Sequence, residues 1–287
     1  MAAQANRHAI IDAMTTAPVP GASAPASFPS SDTPRPLAIL SALPEEQQGL
    51  EQRLTDPQPA ATHAGRRFVR GRLHGRPVVL ALCGIGKVAA ATTATVLAER
   101  FGVRGIVFTG VAGGLGEGVQ VGDIVVAEAC VQHDMDASPL FPRFEVPLYG
   151  RALFETDPAL TGHLAQAAHA TLQDLPALVP AADLGRFDLQ APQVHCGLLA
   201  SGDRFVASRQ EAALLRAAVP DALAVDMESA AVAQVCADYR IAFAAVRTVS
   251  DRADETAHVD FPAFVTAVAS RYAEAVIGRF LDLLQKE

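Results

Sequence analysis

The sequence predicts an α/β fold, on three observations. Short, almost wholly apolar runs recur along the chain, as in Leu37–Ala42, Gly105–Phe108 and Ala222–Val225. Strands covered on both faces read this way. Helical, often alanine-rich stretches follow such runs, and a strand feeding a helix is half of a βαβ unit. Acids stand where the runs end: Glu45-Glu46, Asp226 with Glu228, and Ser250-Asp251. In open α/β sheets ligands bind at the carboxyl ends of the strands. One acid in a first helical turn would be an ordinary helix-dipole partner. Three at three strand ends predict a carboxylate-based site.

Composition narrows the class. At 287 residues, half of them hydrophobic, the chain has material for one large core or two small ones. Its net charge of −8 argues against a nucleic-acid or anionic-membrane surface. Cys83, Cys130, Cys196 and Cys236 are isolated, with no C-x-x-C pair. That spacing disfavours disulfide and zinc frameworks and favours a reducing, cytoplasmic compartment. No apolar run reaches the roughly 18 residues that span a bilayer. Residues 1–36 are rich in Pro, Ser and Ala without apolar periodicity, so a disordered tail is expected there, with a single domain over 37–287. The early apolar stretch is short and holds Asp12, which does not fit a secretory leader.

The elements follow in order. Leu37–Ala42 is the first buried strand, and Pro44 suits the first turn of the polar helix after it. Arg67–Leu73 and Pro77–Cys83 form a hairpin around His74-Gly75. Gly84-Ile85-Gly86-Lys87 is a tight turn before an Ala/Thr/Val helix reaching about Phe101. Its G-x-G-x-x-A pattern is a weak dinucleotide signal, because it lies on a later strand and no acid ends the next one. Its amides, at a helix N-terminus, suit contact with an anionic ligand. Arg104–Thr109 is a buried strand running into the glycine run Gly110–Gly116, which lets backbone or ligand approach closely and is expected to wall the site, against the alternative of a mobile loop.

Val121–Val126 begins a further strand that reaches Asp136. His133, Asp134 and Asp136 invite a metal reading. Strand alternation puts His133 on the face opposite both acids and disfavours it. The apolar, Pro-broken loop Ser138–Phe144 suits a pocket lining or a subunit contact. A helix is expected near 157–173. His195–Val206 is a strand leading into a turn, where Phe205 either plugs the core or offers a flat face to a base. Ala242–Val249 is the last strand. From Phe261 onward, Phe264, Val265, Val268, Tyr272, Val276, Phe280 and Leu283 mark the core face of a long closing helix.

The ordered motifs carry a resemblance. They are Ser41–Glu46, Cys83–Lys87, Thr109–Leu115, Val121–Val126, Ser201–Phe205, Val225–Glu228 and Arg247–Asp254. Together they resemble the 5′-methylthioadenosine/S-adenosylhomocysteine nucleosidases of the purine nucleoside phosphorylase superfamily, across 37–136 and 196–287. The resemblance implies a three-layer sandwich, a central mixed β-sheet flanked by helices. It implies hydrolysis of the N-glycosidic bond of 5′-alkylthio adenine nucleosides, without metal or organic cofactor.

By the same resemblance, Glu46 activates water, Glu228 binds the ribose hydroxyls and helps hold that water, and Asp251 protonates adenine at N7. Phe205 stacks on adenine while the Val206 backbone reads its edge, Met227 packs under the ribose, and Arg247 supports the acidic cluster. Ile85, Ala112, Gly113, Ser250 and Phe261 complete the substrate-contacting set. The partner it implies is a small-molecule nucleoside, with no nucleic acid and no membrane. A homodimer is expected from the Ser138–Phe144 loop and from the family's habit of completing its site across subunits. Val111 departs from the pattern, standing where many members carry serine, and so does the loop after Asp136.

The chemistry of the residues agrees. Cleavage develops a cation on the sugar and negative charge on the base, so one carboxylate serves as base for water and another acid as proton donor. Glu228 facing the ribose stabilises the cation. Three alternatives stay open at this point: a phosphorolytic enzyme, a hydrolase for another purine nucleoside (futalosine or AMP type), and a non-catalytic nucleoside-binding or storage protein.

Overall fold

A computed structural model describes residues 35–253 and 257–286. The expected tail, up to residue 34, and Asp254 lie outside the described residues. Arg35–Asp134 and Leu153–Glu287 form one compact unit, and the loop Met135–Ala152 belongs to a second.

Strand β1 (Leu37–Ser41) is buried along its whole length and hydrogen-bonds in parallel to two later strands. Helix α1 (Pro44–Gln52) follows, with Pro44 in its first turn as expected. Strand β2 (Ala61–His63) is too short to show in the sequence pattern. It pairs with β3 (Arg66–Leu73), which forms the expected hairpin with β4 (Arg76–Leu82). Helix α2 (Lys87–Phe101) ends at Gly102, whose left-handed backbone (φ 58°) favours glycine.

The next strand differs from expectation. β5 spans Gly105–Gly114, so the glycine run is a strand for most of its length and not a loop. It is parallel to β1 and β10 (Ala242–Asp251), and its last residues meet β9 (Ala222–Asp226) antiparallel. The glycines are there for close approach. A Cβ on Gly110 would lie 3.0 Å from Glu46 Oε1, and one on Gly113 would lie 3.1 Å from Asp251 Oδ1.

β6 (Ile124–Gln132) starts later and stops earlier than the sequence suggested, because Val121-Gly122 and His133-Asp134 are turn. The alternation argument therefore does not apply to His133. Its ring instead packs against Gly202, where a Cβ would clash with it.

β7 (Leu153–Glu155) adds to β6, and α3 (Pro158–Gln173) fits the expected span. Two short helices, α4 (Leu175–Leu178) and α5 (Ala181–Arg186), lead to β8 (Val194–Ser201). α6 (Arg209–Ala218) and α7 (Ser229–Tyr239) flank β9 in sequence. The closing helix begins earlier than Phe261, as α8 (Ala257–Phe264), and continues through a π-turn (Val265–Ala269) into α9 (Ser270–Leu283). Phe264, Val265, Val268, Tyr272, Val276 and Phe280 of the expected stripe are buried, and Leu283 packs against the core partly buried.

The sheet is mixed, with parallel and antiparallel pairs. Pairings β5–β10, β10–β6, β6–β8, β8–β9 and β9–β5 close a ring of five strands, and β1, β4, β3 and β2 extend from β5. Alternation sorts the core. Leu37, Ile39, Val107, Val126 and Val246 pack with residues of α1, α3 and α9. Arg247 points the other way, towards Ser229 at the start of α7. The carboxyl ends of β1, β5, β9 and β10 bring the acids together, as the sheet rule anticipates.

Candidate active site

Glu46 sits in the first turn of α1 and is 3 % exposed. Its Oε2 accepts from the backbone N–H groups of Ala42 and Leu43, both at 2.9 Å. The Leu43 bond is the returning half of a capping box, so one side chain secures both the helix start and the site. Its Oε1 accepts from Val111 N at 3.2 Å. That bond uses backbone, so valine at position 111 does not remove it. Burial pushes the Glu46 carboxyl above its ordinary value, opposed by the Leu43 N–H, Arg247 and the other two amides.

Asp226 is the hub of the floor beneath the site. It accepts from the hydroxyls of Ser201 and Ser229, from the backbone N–H groups of Glu228 and Ser229, and from Arg247 Nε at 2.9 Å. Glu228, whose N–H is one of these donors, stands just before α7, not inside its first turn as the sequence suggested. Glu228 is free to reach across the site, and its Oε1 accepts from Gly86 N at 2.9 Å. Burial raises the Glu228 carboxyl to about 7; the Asp226 charge adds to this, the Gly86 N–H and Arg247 oppose it, and Glu46 raises it further.

Arg247 is 1 % exposed and fully engaged. Besides Asp226, it donates to Ser229 Oγ at 2.8 Å and to the carbonyls of Phe108 and Val246. Its guanidinium lies 4.0 Å from the centre of the Phe108 ring. It is the cation that lets Asp226, Glu228 and Glu46 be buried in one place.

Asp251 ends β10 beyond an irregularity in the β5 pairing, where Val249 faces Ala112 but Asp251 faces Gly113. Such a bulge re-aims a side chain. Asp251 is 7 % exposed and accepts from Ser250 Oγ at 2.7 Å and Ala253 N at 2.8 Å. Ser250 Oγ also lies 3.4 Å from the Ala112 carbonyl. Ser250, Ala112, Gly113 and Asp251 thus form one group.

Phe205 is 44 % exposed and does not plug the core. Its ring meets Phe261 edge-on, with centroids 6.3 Å apart. Val206 behind it is buried, and Met227 between the acids is half-buried. Ile85 is exposed at the turn whose next residue binds Glu228. That turn departs from expectation. Its amides do not stand open to a ligand anion: Gly86 N donates to Glu228 and Lys87 N to Asp203 Oδ1, at 2.7 Å. Lys87 Nζ is bound by Asp134 and by Gln132 Oε1.

Sequence reading did not single out Asp203, or Asp226 apart from its place beside Glu228. The one available signal for Asp226 was its position two residues before Glu228. Burial pushes the Cys83 thiol up, as do the Glu228 and Glu46 charges against Arg247, so it stays neutral and is no nucleophile. Among the described residues no group of three or more His, Cys, Asp or Glu is placed to hold a metal ion.

Comparison with known proteins locates this geometry. Residues 36–282 match the model of the phosphorylase superfamily. A 5′-methylthioadenosine/S-adenosylhomocysteine nucleosidase of Shewanella denitrificans is 32 % identical over 247 residues, covering 86 % of this chain and 99 % of that protein. The chain belongs to this nucleosidase family. A solved nucleosidase of the family from Neisseria meningitidis, in complex with methylthio-immucillin-A, superposes with a TM-score of 0.76 at 31 % identity, covering 87 % of this chain and 99 % of that one. A futalosine hydrolase from Helicobacter pylori is similar at a TM-score of 0.73 and 29 % identity, covering 87 % and 98 %. The nucleosidase resemblance and the mixed sheet with its helices both stand. No helix among the described residues is long and apolar enough to cross a membrane.

Proposed function

We propose that this nucleosidase hydrolyses the N-glycosidic bond of 5′-methylthioadenosine and S-adenosylhomocysteine, releasing adenine. The observation that carries the reading is the pairing of a buried, raised carboxyl at Glu46 with an anion-binding turn already occupied by the protein's own carboxylates. The first suits a base for water, because a carboxylate with a raised pKa is the stronger base. The second disfavours phosphate as nucleophile, since Gly86 N, Lys87 N and Lys87 Nζ all have acceptors.

In this reading water attacks C1′ of the ribose and Glu46 takes its proton. The C1′–N9 electron pair leaves with adenine, and Asp251 delivers a proton to N7, so no adenine anion is released. Ser250 and Gly113 hold Asp251 in place. Glu228 accepts from the ribose hydroxyls and stabilises the positive charge developing on the ring. Met227 packs under the sugar. Phe205, backed by Phe261, stacks on the base, and the Val206 backbone reads its edge. Ile85 and Ala112 line the site, and Arg247 balances the acids.

No cofactor takes part, and the partner is a small-molecule nucleoside. A homodimer accords with the apolar Ser138–Phe144 loop, and sedimentation at micromolar concentration checks it; a fully active monomer would count against it. A cytoplasmic location accords with four free cysteine thiols.

The test is a nucleoside panel of 5′-methylthioadenosine, S-adenosylhomocysteine, adenosine, inosine and futalosine, with and without phosphate. Free adenine and unphosphorylated sugar from the first two are expected. Phosphate-dependent release, preference for futalosine, or binding without turnover would each overturn the reading.

A further inference from the structure

The Gly84–Lys87 turn looked like a ligand-binding loop in the sequence, yet its amides serve the protein itself. Two neighbouring N–H groups point at two different carboxylates. Gly86 N holds Glu228, on the ribose side of the proposed site, and Lys87 N holds Asp203, two residues before Phe205. The same Lys87 binds Asp134 through Nζ, and Asp134 Oδ2 accepts from Asp203 N at 2.9 Å. Lys87, Asp134 and Asp203 therefore close a cycle that ties the start of α2, the end of β6 and the loop after β8. The Lys87 side chain is only 15 % exposed. Burial pushes the Asp134 carboxyl up, but Lys87 and the Asp203 N–H outweigh it and hold it below its ordinary value. The cycle thus joins the half-buried Lys87 to the exposed Asp203 through charge-assisted hydrogen bonds, which are stronger than neutral ones.

Gly86 fits this arrangement for a reason of space. Its φ of 97° excludes most side chains, and a Cβ there would stand 3.2 Å from Asp203 Oδ1. Downstream, Arg204 pairs with Glu211, and Ser208 caps α6 by accepting from Glu211 N. Phe205 is thus the exposed crest of a loop pinned on both sides.

We infer that Asp203, clamped by Lys87 and Asp134, is a positioning residue that holds the Phe205 loop in register with Glu228, so that base stacking and ribose binding are set by one turn. The inference rests on the proposed nucleosidase reading and names how that site's binding is pre-organised. Asp203 has no part in the bond-breaking step. Its removal should weaken binding of the base far more than it slows turnover, and only while Phe205 is present to be misplaced.

A double-mutant cycle on the full chain tests this, using Asp203→Ala, Asp203→Asn, Phe205→Ala and Asp203→Ala/Phe205→Ala. Each variant is assayed for KM and kcat on 5′-methylthioadenosine and for adenine binding by calorimetry. Asp203→Ala should raise KM and the adenine Kd about tenfold, with kcat within about threefold, as expected for one lost charge-assisted hydrogen bond. Asp203→Asn should recover most of the loss, because its carbonyl oxygen can still accept from Lys87 N. In the Phe205→Ala background the Asp203→Ala effect should fall below about twofold.

Additive effects would overturn the inference, as would a loss confined to kcat or an Asn variant no better than Ala. If Asp203→Ala does not fold, Lys87→Gln serves in its place and must raise the adenine Kd, again only with Phe205 present. The adenine titration separates two failures. A wild-type protein that binds adenine but releases none defeats the proposed function and leaves the positioning role testable by binding alone.

Discussion

Replacing Glu228 by glutamine should make the protein more stable and nearly inactive, in a pH-dependent way. Burial and the Asp226 charge lift the Glu228 carboxyl from its ordinary 4.5 to about 7. The folded state therefore disfavours the ionised form, by about 3 kcal/mol at roughly 1.4 kcal/mol per pH unit. Because the folded value is the higher one, the cost is complete above pH 7. It shrinks as pH falls through 7 and is nearly gone below 4.5, where the group is protonated folded and unfolded.

Glutamine keeps the shape, and its carbonyl can still accept from Gly86 N. Glu228→Gln should thus gain up to about 3 kcal/mol at pH 8, or roughly 5–10 °C in melting temperature, and a few tenths near pH 4. Turnover should fall at least about a hundredfold at pH 8, with much smaller loss of nucleoside binding, since the charge acts most in the transition state. Thermal melts at pH 8 and pH 4, paired with adenine-release assays, check both halves. A variant no more stable than wild type at pH 8, equally stabilised at both pH values, or near normal in turnover would refute the reasoning.

Other outcomes follow from the same geometry. Asp251→Asn should lose at least about a hundredfold in kcat with little change in stability, because Ala253 N keeps an oxygen acceptor; a nucleoside whose base leaves without protonation should be spared, and equal slowing of both substrates would remove Asp251 as the acid. Arg247→Met should destabilise by about 3–5 kcal/mol in urea melts, since Asp226 is left buried without its cation, and adding Asp226→Asn should restore part of that loss. A chain beginning at Arg35 should fold and retain activity, because Arg35 donates to the carbonyls of Gly102 and Val103 while the segment before it has a composition unsuited to a core; insoluble or inactive protein would contradict this.

Elements buried on two faces were legible in the sequence. β1 and the first half of β5 are unbroken apolar runs, and the α8–α9 stripe is periodic enough to show its core side. The apolar run predicts a strand that stops at Thr109 and a glycine run made for close approach; the close approach is found, and the strand itself continues to Gly114. Here the absence of side chains is what lets Glu46 and Asp251 lie against the strand, a tertiary requirement that local propensity does not encode. β6 stops at Gln132, short of the expected Asp136, because the backbone turns at His133-Asp134.

The acids Glu46, Glu228 and Asp251 were legible because they stand at strand ends. Their polar supports were not. Lys87, Asp134 and Asp203 are far apart in the chain, and nothing in any one of the three neighbourhoods indicates the other two.

In the proposed reading, the occupied turn also favours water over a larger anionic nucleophile. A helix N-terminus with free amides beside a lysine is a general anion site. In this protein Glu228 and Asp203 supply the anions from within, at 2.9 Å and 2.7 Å. An incoming phosphate would have to displace Glu228 from Gly86 N, bringing negative charge next to Glu46 and Asp226. Glu228, already raised to about 7 by burial and those neighbours, would lose the hydrogen bond that favours its ionised form. Water carries no charge to oppose and, in the proposed mechanism, needs only a base such as Glu46. In that mechanism, the carboxylate that steadies the sugar cation is therefore also the one that occupies the Gly86 amide.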